Sequence, residues 1–184
     1  MKKFKDYTIS FAGLSLGKHQ FDFLITQSFF DLFEFEQDFE HPNVNISVIL
    51  DKKNNFLELF FTLSGGVEVN CDLTNEIYYQ ELEGKSEIIV KFGEELDDSD
   101  DEVWILPHGE YTTNISQIIY EMVLLAVPNK RIHPDVISGK SNSEMLKLLE
   151  KYSIDEETLN QSNSDESEID PRWEALKNLN NNSN

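Results

Sequence analysis

The stretch VNISVILDKKNNFLELFFTLSGGVEVNCDL, residues 44–73, decides the fold. Apolar and polar side chains alternate on both sides of residues 53–55, which is the pattern of two half-buried strands joined by a tight turn. Gly65-Gly66 is predicted to separate the second strand from a third. That third strand would run through Val67, Val69 and Cys71. The stretch therefore predicts a meander of antiparallel strands.

Further strands are predicted on either side of this meander. Downstream, the segments at 77–84, 86–93 and 102–107 are expected to continue it. Upstream, residues 4–14 and 19–25 alternate loosely, and we expect them to pair with each other through a glycine turn. The sheet should therefore occupy most of the first hundred or so residues.

The strongest helical pattern follows the strands. Asn114 is a suitable N-cap, and apolar residues recur at helical spacing until Pro128 ends the segment. The apolar residues cover more of the helix surface than the single stripe of a surface helix, so the helix should pack over the sheet as the main core helix. Two shorter helices are also expected. One begins after Thr26, which would be its N-cap, and the other covers EMLKLLEKY, residues 144–152.

These patterns together predict an α+β fold. It would be an antiparallel meander or partly closed sheet packed by one main helix, with short extra helices and a flexible acidic C-terminal tether. We expect an α+β core domain over 1–134, a loop and short helix over 135–152, an acidic disordered tether over 153–168 and a short terminal helical motif over 169–180.

The terminal motif is IDPRWEALKNL, residues 169–179. Asp170 would be the N-cap and Pro171 the first helical residue, with Trp173 on the apolar face. Helices below roughly 12–15 residues are marginal alone, so the motif should dock on its own domain, dock on a partner or stay largely disordered. Its candidate partner-binding or RNA-binding residues are Asp170, Pro171, Arg172, Trp173, Leu176 and Lys177.

The charge of the chain restricts its partners. Its 35 acidic and 15 basic side chains give a formal net charge of −20. A surface of this sign repels nucleic-acid phosphates and anionic membranes. We therefore expect no DNA and no membrane partner. The charge suits a basic protein partner, such as most ribosomal proteins, or serves only to keep the chain in solution.

The sequence also predicts a cytoplasmic protein. Cys71 is the single cysteine, so the chain can form no internal disulfide, and a reducing compartment fits best. Lys5 and Asp6 interrupt the position where a signal peptide would carry an apolar run. The most apolar run, residues 118–127, is shorter than the roughly 20 residues that span a bilayer.

No catalytic residue, metal ligand or cofactor is predicted. The acidic segment GEELDDSDDE, residues 93–102, lacks the glycine and glutamate spacing of an EF-hand loop, and we expect a solvated hairpin loop there. The alternative is that its carboxylates hold magnesium for a ribonuclease. Cys71 is expected to be a buried, inert thiol, although His108 or His133 could in principle act as its base.

The chain has two arginines, and both lie in small basic patches. Arg131 follows Lys130 in NKRIHP just past the main helix, and Arg172 lies in the terminal motif. The planar guanidinium suits phosphate and carboxylate recognition. Local roles are equally open: Arg131 could favour the helix dipole, and Arg172 could pair with an aspartate of the tether. Lys130 and Arg131 are therefore candidate partner or RNA contacts.

Three motifs resemble the YceD family of large ribosomal RNA accumulation proteins. They are VNCDLTNEI at 69–77, IYEMVLLAVP at 119–128 and DPRWEALKNL at 170–179, in this order. The resemblance extends from about residue 8 to residue 179, and the terminal motif is its most specific part. Many members carry C-x-x-C where this chain has Cys71 and Thr74, so no zinc clip is expected at this strand turn.

The resemblance implies a function in ribosome assembly. The family is linked to accumulation of large-subunit ribosomal RNA, its gene often adjoins that of a small large-subunit ribosomal protein, and no enzymatic activity is established for it. We therefore expect a non-enzymatic factor whose partner is a ribosomal protein or a pre-ribosomal particle of the large subunit. Direct RNA contact is left open. The alternatives are a metal-assisted ribonuclease and a general interaction adaptor. The strand-turn residues of the family motif are Cys71, Asp72 and Thr74.

Overall fold

The computed structural model describes residues 4–97, 99–100, 102–141 and 143–152. The chain divides into two units, Met1–Ser141 and Asn142–Asn184. The strands are β1 Thr8–Ser10, β2 Gly17–Ile25, β3 Glu40–Lys52, β4 Phe56–Asn70, β5 Ile77–Gly93, β6 Val103–Pro107 and β7 Thr112–Asn114. The helices are α1 Gln27–Phe30, α2 Ser116–Ala126, α3 Pro134–Ile137 and α4 Glu144–Tyr152, with a 3-10 turn at Lys5–Tyr7. The predicted α+β class is confirmed.

The five strands β2 to β6 form one open sheet in chain order. The first four pair antiparallel, and the turn between β3 and β4 lies at the predicted place, where the Lys53 N–H donates to the Phe56 carbonyl (3.0 Å). The last strand, β6, runs parallel to β5 rather than continuing the antiparallel meander. Residues 94–102 therefore connect parallel strands and are not the predicted hairpin loop between β5 and β6, although Asp97 forms an isolated antiparallel bridge with Ile105 of β6.

β4 and β5 are each one continuous strand. The sequence pattern had divided β4 at Gly65-Gly66, but both glycines pair with β3 or β5 and the strand continues to Asn70. The glycines serve close packing instead, because a Cβ on Gly65 would collide with the backbone oxygen of Asn43. The predicted break near Lys85 is also absent, since the β4 ladder orders the whole segment.

The N-terminal strand does not pair with β2 as predicted. β1 pairs antiparallel with β7, more than a hundred residues later in the chain. The Asn114 side-chain amide fixes this pairing, since it donates to the Phe4 carbonyl (2.9 Å) and to the Thr8 hydroxyl (2.9 Å). β2 instead pairs along its whole length with β3. A long-range ladder has replaced the local hairpin.

α2 packs against β5 and completes the core. Alternate residues of β4 are buried, as the period-two pattern predicts, and Ile119 and Val123 of α2 are fully buried. The N-cap of this helix is Ile115 and not the predicted Asn114, although the Asn114 side-chain oxygen accepts from the N–H of Ser116, the first helical residue (3.0 Å). Phe33, just after α1, stacks on Tyr120 with ring centroids 4.2 Å apart, which joins the two helices.

Two shorter helices also fall where the sequence predicts them. α1 begins after Thr26, although the Thr26 hydroxyl contacts Ser28 (3.0 Å) rather than a backbone N–H. In the second unit, α4 covers the predicted segment, and Met145, Leu148 and Leu149 are each about half exposed. Within the described part of the chain, every helix is too short or too polar to cross a bilayer.

We expect Gly65→Ala to lower the free energy of unfolding by about 2 kcal/mol or more, because the new methyl group meets backbone atoms of β3 and the glycine has a φ of +142°. Urea unfolding measures the change. Gly13→Ala is the control, since a Cβ there has open space around it. Equal stability of the two variants would contradict the close approach of β3 and β4.

Candidate functional site

The strand turn of the family motif covers residues 71–76 and connects β4 to β5; it is called the Cys71 turn below. The Cys71 N–H donates to the Glu76 carbonyl (2.9 Å), and the Asn75 N–H donates to the Cys71 carbonyl (2.8 Å). Asn75 has a φ of +58°, which asparagine tolerates better than most residues. The buried Thr74 hydroxyl donates to the Glu76 carboxylate (3.0 Å). The turn is thus closed by its own backbone and side chains.

The segment after α2 lies directly on this turn. The Asp72 N–H donates to the Arg131 carbonyl (2.7 Å), and the Arg131 N–H donates to the Asp72 carboxylate (2.7 Å). Two residues further on, the His133 N–H donates to the Cys71 sulfur (3.3 Å). These three bonds attach the predicted basic patch to the predicted motif turn, two features that are 59 residues apart in sequence.

The Arg131 side chain holds a third segment in place. Its Nη1 donates to the Asp38 carbonyl (2.9 Å) and its Nη2 to the Asp38 carboxylate (2.7 Å). The Arg131 side chain is only 19% exposed, whereas that of Asp38 is 71% exposed. The guanidinium therefore holds the residues just before β3 against the segment after α2, a contact called the Arg131 clamp below. This fork-shaped contact is one that lysine could not reproduce.

The Cys71 thiol is buried among hydrogen-bond donors. Burial raises the pKa of this thiol, but hydrogen bonds to the sulfur, among them those from the backbone N–H groups of His133, Leu73 and Thr74, together lower the pKa below its ordinary value. Cys71 is 2% exposed and its sulfur accepts a backbone N–H, so the side chain contributes to packing and to the local hydrogen bonds. His133 comes close through its backbone and not as a base.

The Tyr78 and His133 side chains pack against each other beside the turn. Their rings meet edge to face with centroids 5.2 Å apart. Burial raises the pKa of the Tyr78 phenol, the negative groups of Cys71 and Asp72 raise it further, and Arg131 acts in the opposite direction. The His133 ring nitrogen Nδ1 accepts from the Asp135 N–H (3.0 Å), which caps α3. The His133 ring therefore has two structural contacts, one with the Tyr78 ring and one with the N–H of Asp135.

The acidic loop between β5 and β6 uses its carboxylates to order its own backbone. Asp97 accepts from the Ser99 hydroxyl (2.6 Å) and N–H (3.1 Å), which lower the pKa of the Asp97 carboxyl. Asp100 accepts from the N–H groups of Glu102 (2.8 Å) and Val103 (3.2 Å). In the described part of the chain, no three acidic, histidine or cysteine side chains converge in a metal-binding arrangement.

The structure brings some of the predicted site residues together. Asp72 is hydrogen-bonded to Arg131 and Cys71 to His133, the Thr74 hydroxyl donates to Glu76 within the turn, and Lys130 next to Arg131 is exposed. The six candidates of the terminal motif, Asp170, Pro171, Arg172, Trp173, Leu176 and Lys177, lie outside the described residues. The structure thus brings together two groups that the sequence predicted separately, and each family-motif residue has a local structural partner.

Sequence reasoning missed two members of this cluster. Asp38 is 93 residues from Arg131 and lies in an acidic stretch where no single carboxylate is distinguished. Tyr78 looked like one of several alternating strand residues. The proximity of both residues to Arg131 and His133 is created by the order of the strands, so no local pattern could reveal it.

We expect Arg131→Met to lower the free energy of unfolding by about 1 kcal/mol, because it removes both hydrogen bonds to Asp38, whose carboxylate is 71% exposed and can be solvated by water instead. Chemical denaturation followed by tryptophan fluorescence measures this. The matched control is Lys130→Met, which removes the same charge from an exposed neighbour and should change stability little. A similar loss in both variants would mean that charge, and not the clamp, is responsible.

We expect the stability difference between wild type and Cys71→Ala to grow as the pH rises through the ordinary thiol pKa. The pKa of Cys71 is lower in the folded protein, so its contribution is lost below the folded pKa and complete above the unfolded one. Urea unfolding at several pH values from about 6 to about 10 measures this. A difference independent of pH would contradict the assignment.

Comparison with known proteins supplies the family. The family described as "Large ribosomal RNA subunit accumulation protein YceD" matches residues 59–180, more than half of the chain. No curated protein and no solved structure matches the chain. The matched region contains the Cys71 turn, the Arg131 segment and the terminal motif, which are the features that the sequence singled out. The chain belongs to the YceD family of large ribosomal RNA subunit accumulation proteins.

Proposed function

We propose that this protein is a non-enzymatic factor that supports accumulation of large-subunit ribosomal RNA. It would act in the cytoplasm by binding a protein component of the large subunit or of its precursor particle. The observation that carries the proposal is the family match over residues 59–180. The process comes from the family, and the mode of action comes from the charge and geometry of this chain.

A protein partner is favoured over naked RNA by charge. The chain carries a formal net charge of −20, whereas ribosomal proteins are mostly basic. Long-range attraction would speed the encounter with such a partner and would repel RNA phosphates. Direct RNA binding is the alternative mode, and it would depend on the cations of the two basic patches, Lys130, Arg131, Arg172 and Lys177.

A non-enzymatic role is supported by the way the reactive side chains are used. The Cys71 sulfur is buried and hydrogen-bonded, and the His133 ring caps a helix. Asp97 and Asp100 bind N–H groups of their own loop. A metal-assisted ribonuclease needs carboxylates that converge on metal ions, whereas Asp97 and Asp100 order the backbone of their own loop.

Two groups of residues are proposed as contacts. The terminal motif would supply an aromatic anchor in Trp173, apolar contact in Leu176 and a polar rim in Arg172 and Lys177. Lys130 would contact the partner from the folded unit. Arg131 already binds Asp38, so it would act by holding the Lys130 segment on the Cys71 turn.

We expect depletion of the protein to lower the ratio of large- to small-subunit ribosomal RNA in cells. Wild type should restore the ratio, and a chain truncated after Glu168 should restore it incompletely. Quantified ribosomal RNA from depleted and rescued cells measures this. An unchanged ratio on depletion would refute the function.

The role of the terminal motif has its own control. A full-length Trp173→Ala, Leu176→Ala variant removes the apolar anchor while the chain keeps its length and charge, and it should behave like the truncated chain. A variant with Asn181→Ala and Asn182→Ala, past the motif, should rescue fully. Complete rescue by the truncated chain would show that the motif is dispensable, with the proposed process untouched.

A further inference from the structure

An apolar groove lies between α2 and the sheet, away from the Cys71 turn. Its volume is about 1120 Å³, and its lining includes Trp104, Leu106, Ile118, Met122 and Leu125. Leu106 and Met122 are largely buried and lie deep, whereas Leu125 is 86% exposed. A leucine exposed to this degree beside a tryptophan gives an incoming chain an apolar surface to bury.

One side of the groove is an open sheet edge. β6 pairs with β5 only over Ile89–Gly93. Among the described residues, no strand pairs with the earlier part of this edge, residues 77–88. Residues 83–86 of that part line the groove. A row of unpaired backbone groups next to apolar side chains is what an added strand requires.

The rim of the groove is acidic. Of the described residues, Glu83, Asp100, Glu110 and Glu121 line it together with one cation, Lys85. All four carboxylates are on exposed residues, and the Gln117 amide holds the Glu121 carboxylate in place (2.6 Å). The potential along the groove is therefore negative and adds to the net charge of −20. It selects a cationic occupant.

We propose that the groove binds an extended, basic segment of a partner protein. The segment would pair with the free edge of β5 at residues 83–86, place apolar side chains against Trp104 and Leu125, and direct lysine or arginine side chains to Glu110 and Glu121. This inference deepens the proposed function, on which it rests for the biological identity of the partner. It adds the binding surface and the chemistry of the segment that the surface accepts.

Other occupants fit these observations less well. A second copy of this chain would bring the same strong negative charge to an already negative groove. RNA would place phosphates against four rim carboxylates. An uncharged apolar segment would leave those carboxylates without partners. A basic strand satisfies the apolar, backbone and charged parts of the groove at the same time.

Peptide binding to the full-length protein tests the proposal. The probe is a fluorescently labelled peptide in which lysine alternates with valine, and anisotropy reports its binding. Two altered probes isolate the contributions: serine in place of every valine removes the apolar part, and N-methylation of alternate backbone nitrogens removes strand pairing. We expect both changes to weaken binding by about tenfold.

Matched protein variants locate the site. Leu125→Gln should weaken binding by about fivefold, whereas Leu24→Gln, which alters an exposed leucine of β2 outside the groove, should leave binding unchanged. Glu110→Gln with Glu121→Gln should weaken binding by about threefold and reduce its salt dependence. Glu34→Gln with Glu36→Gln removes the same charge from exposed residues outside the groove and controls for general attraction.

Equal binding to all the protein variants, or equal binding of the N-methylated probe, would overturn the proposal. Tighter binding of an oligonucleotide than of the peptide at this groove would also overturn it. Failure here can be told from failure of the proposed function. If depletion lowers the large-subunit RNA ratio but Leu125→Gln neither weakens peptide binding nor impairs rescue, the function stands and the groove does not. If the peptide binds through Leu125 and depletion does not change the RNA ratio, the groove stands as a binding site and the proposed function fails.

Discussion

The structure depends on the ladder between β4 and β5. β4 is paired on both sides, with β3 and with β5, so its buried alternate residues fix the register of the whole sheet. Gly65 lets the backbone of β3 approach this strand, and a side chain there would force the two strands apart. Because the ladder runs to the end of β4, it also sets where the Cys71 turn must form.

The attachment of the chain after α2 follows from that position. Once the turn is fixed, Asp72 and Cys71 offer a carboxylate, an N–H and a sulfur to the passing segment, and Arg131 and His133 occupy all three. The guanidinium then reaches Asp38. A motif that a sequence pattern suggests as a binding element is thereby a junction of three chain segments. This placement explains why the exposed Lys130 is the better proposed contact than Arg131.

The acidic composition and the groove point to the same type of partner. The net charge of −20 disfavours nucleic acid at long range, and the four rim carboxylates repeat that preference locally. β6 pairs in parallel with only the last part of β5, which leaves the earlier part of that edge unpaired beside α2. This short pairing creates the groove. The terminal motif and the groove would give an assembly factor two separate contacts, which raises avidity without a large interface.

The sequence by itself determined where most strands of the large sheet lie, because alternation of burial has period two, although it divided β4 and β5 and did not predict β7. It also determined α2 and α4, because their apolar residues recur at helical spacing. It also determined the family motifs and the negative charge. The tertiary structure alone decided that β1 joins β7, that β6 runs parallel, and that Asp38 meets Arg131. The physical reason is that a strand's pattern states which of its faces is buried and says nothing about which neighbour supplies its hydrogen bonds. That choice is made when the core closes, and it created both the Arg131 clamp and the open edge.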